Sequence, residues 1–280
     1  MKLVRYGAAG QEKPGLIDKS GQLRDLSAHV KDLNGEAYAP ASLAKLAALD
    51  PSKLPAVDGK PRLGAPVTGI SKFAAIGLNY IDHAKETGAA IPTEPIFFLK
   101  ANTSLSGPYD AIEKPRESKK LDWEVEIAAI IGTRAKYVSE ADALNHVAGY
   151  CVCNDVSERY FQQERGGQWT KGKSHDTFGP VGPWLVTRDE IPDVQKLSMW
   201  LDVNGQRRQT GSTSTMIFSM EKCISYVSQF MTLLPGDIVT TGTPPGVGTG
   251  MKPPQFLNVG DVVTLGIEGL GEQRQEIIEA

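Results

Sequence analysis

Apolar residues in this chain fall into many short runs, which are separated by turns rich in glycine and proline. Short apolar or alternating runs between such turns are typical of β-strands. The pattern predicts strands at residues 3–6, 14–23 with a turn at 18–21, 72–77, 95–100, 121–132, 149–155, 184–186, 197–208 with a turn at 204–205, 236–240 and 260–264. The sequence therefore predicts a mainly β fold with some α-helix, in which the core sheet curls or closes.

A smaller number of segments have helical spacing. Leucines at 43, 46 and 49 predict a helix over 39–49, and similar patterns predict helices at 79–88, 139–146 and 219–231. Residues 50–69 are rich in proline and glycine, which is typical of a linker. We therefore predict two domains, a small β-rich N-terminal domain with its linker at 1–68 and a larger domain at 69–280.

Composition and charge exclude several classes of function. The chain has 280 residues, 40% of them hydrophobic, and a formal net charge of -3, which gives no electrostatic reason to bind nucleic acid or an anionic membrane. Its first residues lack the apolar core of a signal peptide, and no apolar run is long enough to span a bilayer. Cysteines 151 and 153 are expected to be buried and reduced. We expect a cytoplasmic protein.

The run 121–132 carries two acidic residues into its apolar part. Glu124 and Glu126 lie on the same side of a strand, roughly 6.5 to 7 Å apart along the backbone. Two ionised carboxylates in a dry place repel each other and lose solvation, so a divalent cation is their natural neutraliser. A third carboxylate, Asp155, ends the strand 149–155. Three oxygen ligands suit Mg²⁺, Mn²⁺ or Ca²⁺ better than zinc.

An ordinary strand with a solvated acidic face is the alternative interpretation of Glu124 and Glu126. Asp155 argues against it, because Arg159, Gln162 and Lys173 follow that residue at short spacing. Such a cluster of acidic and cationic residues is not expected from ordinary solvent-exposed polar residues. Lys173 near a metal site could hold an oxyanion or an enolate, although a lysine in a polar loop is more often simply solvated.

Two further segments could carry chemistry. On a helix His83 and Glu86 share one face, where the carboxylate could orient the imidazole as a general base, or the two could form an ordinary exposed pair. The loop 240–248 is rich in glycine and threonine, and its backbone N–H groups could bind a carboxylate. It lacks the ending of a phosphate-binding loop, and no dinucleotide-binding motif is present.

Taken together, these segments resemble the fumarylacetoacetate hydrolase family over about residues 70–278. The resemblance is carried by DWEVE at 122–126, NDVSERYFQ at 154–162 and KGKSHDTFGP at 171–180. It implies a mixed β-sandwich roll that follows a small N-terminal domain, and a homodimer or a dimer of dimers. The implied site consists of metal ligands Glu124, Glu126 and Asp155, substrate-binding residues Arg159, Gln162 and Thr243, and catalytic residues Lys173, His83 and Glu86, the last two on a lid that orders over substrate.

This chain departs from the family pattern at one position, which changes the number of expected metal ligands. The animal enzymes of the family have a further metal-binding aspartate seven residues before the histidine, where this chain has Ile76. A site with three carboxylates is therefore implied, binding Mg²⁺ or Mn²⁺, with Ca²⁺ as a further alternative. The segment RGGQWTKGK at 165–173 resembles the hydrolases of 2,4-diketo-3-deoxy sugar acids.

The resemblance implies a hydrolase that acts on a carbon–carbon bond of a ketonic substrate. The expected reaction splits the C3–C4 bond of a 2,4-dioxo acid, such as L-2,4-diketo-3-deoxyrhamnonate or -fuconate, into pyruvate and a second acid such as L-lactate. Two alternatives use the same site: decarboxylation of oxaloacetate and tautomerisation of a dioxo acid. A metal-binding module without catalysis is a third, which the water-activating pair His83 and Glu86 argues against.

Overall fold

The computed structural model describes residues 1–280, apart from the side chain of Thr87. The strands, in chain order, are β1 (Lys2–Tyr6), β2 (Lys13–Ile17), β3 (Leu23–Asp25), β4 (Leu63–Gly64), β5 (Phe73–Gly77), β6 (Ile96–Lys100), β7 (Leu105–Ser106), β8 (Ile112–Lys114), β9 (Leu121–Asp122), β10 (Val125–Ile131), β11 (Val147–Asn154), β12 (Ser157–Glu158), β13 (Gly179–Thr187), β14 (Ser198–Val203), β15 (Gln206–Ser212), β16 (Ile238–Thr240), β17 (Val262–Ile267) and β18 (Gly271–Glu279).

The helices are short and few beside these strands, so the predicted mainly β fold with some α-helix is confirmed. They are α1 (Pro40–Ala47), α2 (Ile81–Thr87), α3 (Glu140–Ala143), α4 (Thr170–Lys173) and α5 (Met220–Phe230). Helix α5 begins at a cap whose side-chain hydroxyl, from Ser219, accepts a hydrogen bond from the Lys222 N–H. Within the described residues, no helix is both long and apolar enough to cross a membrane.

Two mixed sheets form the body of the molecule. The larger sheet follows the order β3-β2-β1-β13-β11-β10-β16-β5-β6, with β16 and β5 running parallel. The smaller follows the order β15-β14-β17-β18-β8. Its first hairpin turns at Asn204 and Gly205, which both have positive φ, as the sequence predicted.

Strand β10 is buried on both faces, which explains its continuous apolar run. Val125 and Ile127 belong to the core shared with the smaller sheet and helix α5. Ala128 and Ile130 belong to a second core that includes the N-terminal segment. The glutamates at 124 and 126 lie on this second side, at the end where β10 enters the sheet.

The structure differs from the sequence prediction in two local elements near the site. The single strand expected over 121–132 is interrupted at Trp123 and Glu124. In place of strand partners, the Glu124 N–H donates to the Asn154 side chain and the Val125 N–H donates to the Gln209 side chain. Residues 170–173 form a helical turn rather than a loop. Strand β1 pairs with β13, so the N-terminal strands continue the larger sheet, and the domain boundary near residue 68 stays a prediction.

We predict that Leu3→Ala lowers the free energy of unfolding of the whole chain. Leu3 is fully buried in β1, and a truncated leucine in a packed core costs about 2 to 5 kcal/mol. The control Leu234→Ala removes the same atoms from a side chain that is 39% exposed, and should cost less than about 1 kcal/mol. Urea unfolding followed by circular dichroism measures both. A cost at Leu3 no larger than that at Leu234 would contradict this packing.

Candidate metal centre and active site

Backbone pairing brings the three predicted metal ligands together. Strands β10 and β11 are antiparallel, with Val125 opposite Asn154 and Glu126 opposite Cys153. One step beyond the ladder, the Asp155 N–H donates to the Glu124 carbonyl at 2.9 Å. Residues that are about 30 positions apart in sequence therefore become direct neighbours.

The three carboxylates form a compact buried cluster. Each of Glu124, Glu126 and Asp155 offers an oxygen atom, and these atoms lie within 4.8 Å of one another. Their exposed fractions are 5%, 1% and 1%, so water screens them little. The solvated acidic face considered from the sequence is therefore not the arrangement found here.

Three cations enclose this cluster. Lys173 Nζ lies 2.7 Å from both Glu124 Oε2 and Asp155 Oδ2, and Lys100 Nζ lies 2.5 Å from Asp155 Oδ1. Arg159 donates to Glu124 Oε1 at 2.6 Å and to Asp122 Oδ2 at 2.8 Å. Buried charges persist only when they are paired in this way.

The carboxyl groups differ in their protonation. Burial alone would raise the pKa of Glu124, but Lys173 and Arg159 outweigh it and hold that pKa below its ordinary value. Burial, reinforced by the neighbouring charges of Asp155 and Glu124, raises the pKa of Glu126 well above its ordinary value. The arrangement without a metal therefore favours the protonated form of Glu126.

The donor set fits a divalent cation. Three buried carboxylates converge, and burial together with the charges of Asp155 and Glu124 raises the pKa of Glu126. Hard oxygen ligands of this kind are those that Mg²⁺, Mn²⁺ and Ca²⁺ prefer. The cluster could therefore hold such an ion, with its charge replacing the proton on Glu126.

A cavity of about 230 Å³ opens beside the carboxylates. Its lining includes Glu124, Glu126 and six further predicted or neighbouring polar residues: His83, Arg159, Gln162, Lys173, Thr243 and Thr249. Asp155 lies behind this lining, bonded to the two lysines. The structure thus brings the predicted ligands, the lysine and the histidine to one place.

The predicted pair of His83 and Glu86 is formed beside this cavity. His83 is 8% exposed, and its Nδ1 lies 3.1 Å from Glu86 Oε2. The other carboxylate oxygen of Glu86 accepts a hydrogen bond from the Gly246 N–H at 2.9 Å. Glu86 therefore orients the imidazole and also ties helix α2 to the glycine-rich loop, which an exposed surface pair would not do.

The three predicted substrate-binding residues have partners of their own. Arg159 bonds to the carboxylates, and its Nη1 donates to Gln162 Oε1 at 3.2 Å. The Thr243 hydroxyl donates to the Val125 carbonyl at 2.9 Å and accepts from Gln209 at 2.8 Å. Its hydroxyl thus stabilises the loop, and its backbone remains available for other contacts.

Sequence reasoning missed two residues of the cluster. Lys100 was expected only as the end of a buried strand, yet its ammonium group is bonded to Asp155 and to the Lys173 carbonyl. Asp122 accepts hydrogen bonds from Arg159 and from the backbone N–H groups of Gly248 and Thr249. The available signal was a charged residue at the end of an apolar run in each case.

Comparison with known proteins agrees with this site. The profile described as fumarylacetoacetate (FAA) hydrolase C-terminal matches residues 72–278. A Burkholderia lata protein, described only as a candidate hydrolase, is 58% identical over 281 residues, covering 100% of both chains.

Three solved structures extend the likeness to the whole fold. Fumarylacetoacetate hydrolase from Exiguobacterium antarcticum is 35% identical with a TM-score of 0.87, covering 100% of both chains. Maleylpyruvate hydrolase from Sphingobium sp. SYK-6, solved with manganese(II) and pyruvate, is 29% identical with a TM-score of 0.81 and covers 100% of both. 5-Carboxymethyl-2-hydroxymuconate delta-isomerase from Mycobacterium smegmatis is 32% identical with a TM-score of 0.77, covering 100% of this chain and 99% of its own.

The family includes hydrolases and isomerases, and the buried acidic triad described above is suited to the metal that one of these relatives contains. The profile match extends over most of the chain, and the structural likeness over all of it. This chain belongs to the fumarylacetoacetate hydrolase family.

Proposed function

We propose that this protein is a metal-dependent hydrolase that splits the C3–C4 bond of a 2,4-dioxo acid into pyruvate and a second acid. L-2,4-Diketo-3-deoxyrhamnonate or -fuconate, yielding L-lactate, is the proposed substrate. The observation that carries the proposal is that His83, held by Glu86, lines the same cavity as the metal-ligand carboxylates Glu124 and Glu126. A water-activating pair beside an acidic triad is suited to hydrolysis.

Substrate binding is assigned to the polar wall of the cavity. A divalent cation held by Glu124, Glu126 and Asp155 would supply a chelating centre and charge stabilisation for the carboxylate and 2-oxo oxygens of the substrate. Arg159 and Gln162 line the adjacent wall, where their donor groups can orient the dioxo acid. Orientation of this kind lowers the entropic part of the barrier.

The proton path begins at His83. When Nδ1–H donates to Glu86, Nε2 becomes the basic nitrogen of the ring. Nε2 removes a proton from water as the water oxygen bonds to C4 of the substrate. Collapse of this adduct breaks the C3–C4 bond, releases the acid and leaves the electron pair of that bond on the pyruvate part as an enolate. Lys173 stabilises the negative charge, and return of the proton held by His83 Nε2 to C3 completes pyruvate.

Two other candidate reactions would use the same site without attack by a water molecule. The similarity to an isomerase favours tautomerisation of a dioxo acid, and decarboxylation of oxaloacetate passes through the same type of enolate. Product analysis separates these reactions, because only hydrolysis converts one dioxo acid into two acids without CO₂. Incubation of 2,4-dioxo acids with Mg²⁺ or Mn²⁺ and identification of both products tests the proposal.

We predict that Glu124→Gln and Asp155→Asn lose affinity for Mg²⁺ and Mn²⁺, because each removes a charged ligand from the cluster. The pKa of Glu126 is raised, so an incoming cation must displace its proton. Metal affinity should therefore increase with pH, and binding should release a proton. Calorimetry in buffers of different ionisation heat measures both effects.

The exposed Asp58→Ala is the matched control for these metal-binding variants and should bind metal as the wild type does. Unchanged Mg²⁺ affinity in both site variants, or proton uptake on binding, would exclude this cluster as the metal site.

We predict that His83→Ala loses turnover and keeps ligand binding. General-base catalysis is worth roughly 10²- to 10⁴-fold, so kcat should fall by that factor while affinity for Mg²⁺ and pyruvate stays near the wild-type value. The control His29→Ala changes an exposed histidine and should leave kcat unaltered. A near-normal kcat in His83→Ala would make the pair with Glu86 structural only.

We predict that helix α2 with the residues after it, 81–90, acts as a lid that closes over substrate. Asn79 is buried and bonded to the Phe218 and Thr241 carbonyls, and Tyr80 is fully buried, so the mobile part begins later than the sequence suggested. Hydrogen exchange should slow in 81–90 when pyruvate and Mg²⁺ are added, whereas strand β5 should stay unchanged. Full protection of 81–90 without ligand would show that the site is preformed.

A further inference from the structure

The cavity beside the carboxylates has a second, apolar end. Gly77 and Ile96 are paired there across β5 and β6. The indole of Trp169 lies against Gly77, since a Cβ atom added to that glycine would come within 2.5 Å of Trp169 Cζ3. Leu78 and Ala89 also line the cavity, and Gln163 is a further polar residue of the lining. The residues at this end of the cavity are apolar and carry no charge.

Trp169 is held in a fixed position relative to the metal site. It directly precedes helix α4 with helical dihedral angles, so it shares a helix face with Lys173, four residues further on. Its ring meets that of Phe98 edge to face, with centroids 5.3 Å apart. Lys173 Nζ in turn lies 5.3 Å from the centroid of the Phe98 ring. The indole therefore lines the cavity as part of a packed series of side chains that runs through Phe98 to Lys173.

Cationic side chains that line the cavity lie at its carboxylate end. They are Arg159 and Lys173, which are bonded to carboxylates of the cluster. Two further cations, one in the loop before α4 and one in α4 itself, have other contacts: Arg165 pairs with Glu117 at 3.8 Å, and Lys171 donates to the Arg165 carbonyl. A second carboxylate on a ligand would reach the apolar end without a cation from these residues.

We propose that Trp169, backed by Gly77, is a specificity-determining residue that restricts the substrate to 2,4-dioxo acids with a short, uncharged acyl group. The inference rests on the proposed function, in which C1 and C2 lie at the carboxylate centre and the acyl group beyond C4 extends to the other end. A long tail collides with the indole, and a terminal carboxylate there loses hydration without gaining an ion pair with Arg165 or Lys171. Substrates with a second carboxylate are thereby excluded.

The first experiment compares three substrates by kcat/KM with the Mg²⁺-loaded enzyme: 2,4-dioxopentanoate, the long neutral 7-methyl-2,4-dioxooctanoate and the dicarboxylate 2,4-dioxoheptanedioate. The wild type should prefer the first by roughly 100-fold over each of the others. Trp169→Ala should improve the octanoate relative to the pentanoate by roughly tenfold, because it removes the obstruction, and should leave the dicarboxylate poor.

The matched control for this substrate series is Trp200→Ala. Trp200 lies on β14 against Arg207, outside the cavity lining, so its removal should not alter the substrate ratios. Equal wild-type rates for the three acids, or unchanged ratios in Trp169→Ala, would overturn the proposal.

A pair of variants tests the contact itself and remains informative if Trp169→Ala is poorly folded. Gly77→Ala places a methyl group against the indole and should raise KM for 2,4-dioxopentanoate by pushing the ring into the cavity. Combining it with Trp169→Leu should relieve the clash and lower KM again. Additive effects of the two substitutions would contradict the proposed backing of Trp169 by Gly77.

Ligand binding separates failure of this inference from failure of the proposed function. Calorimetry with the Mg²⁺-loaded protein compares 2-oxoglutarate with its neutral counterpart 5-methyl-2-oxohexanoate, which should bind at least roughly tenfold more tightly. This preference without hydrolysis of any dioxo acid would support the apolar wall and reject the hydrolase. Hydrolysis of 2,4-dioxopentanoate with equal affinity for the two oxo acids would support the hydrolase and reject the apolar wall.

Discussion

The balance of buried charge is the constraint on which this structure depends. Four carboxyl groups and three cations lie together in the core, namely Asp122, Glu124, Glu126, Asp155, Lys100, Lys173 and Arg159. An isolated charge of this kind would cost many kcal/mol, so every member must be held near its partners. Burial and the neighbouring carboxylates raise the pKa of Glu126, so a divalent cation bound at this cluster would relieve the repulsion that opposes its ionisation.

The same charges also fix the position of the glycine-rich loop and helix α2 relative to the strands that carry the carboxylates. Asp122 accepts hydrogen bonds from the Gly248 and Thr249 N–H groups, at 2.7 and 3.0 Å. The same carboxylate also accepts from Arg159 and from the Trp123 N–H. The loop fixed in this way presents the Gly246 N–H to Glu86, which orients His83. The imidazole of His83 is thereby positioned near a carboxylate cluster on distant strands. This gives the site the preorganisation that the proposed general-base chemistry requires.

The proposed chemistry of this protein divides between the two ends of the cavity. The carboxylate end suits any reaction that passes through a stabilised enolate, which is consistent with hydrolases and an isomerase among the similar structures. In our proposals the pair of His83 and Glu86 selects the reaction, and the apolar end limits the range of substrates. Trp169 and Lys173 share one helical turn, so a single element of the chain contributes to both ends. Fold alone would not distinguish these outcomes.

The sequence by itself determined most of the elements and the membership of the site, because side-chain alternation, turn chemistry and motif spacing are local properties. Only the tertiary structure decided which residues meet. The register between β10 and β11 places Asp155 beside Glu124, and the packing of β6 buries Lys100 against that aspartate. The interruption of the strand at Trp123 also depends on side chains from distant segments. Such pairings depend on long-range register and burial, which local propensity does not encode.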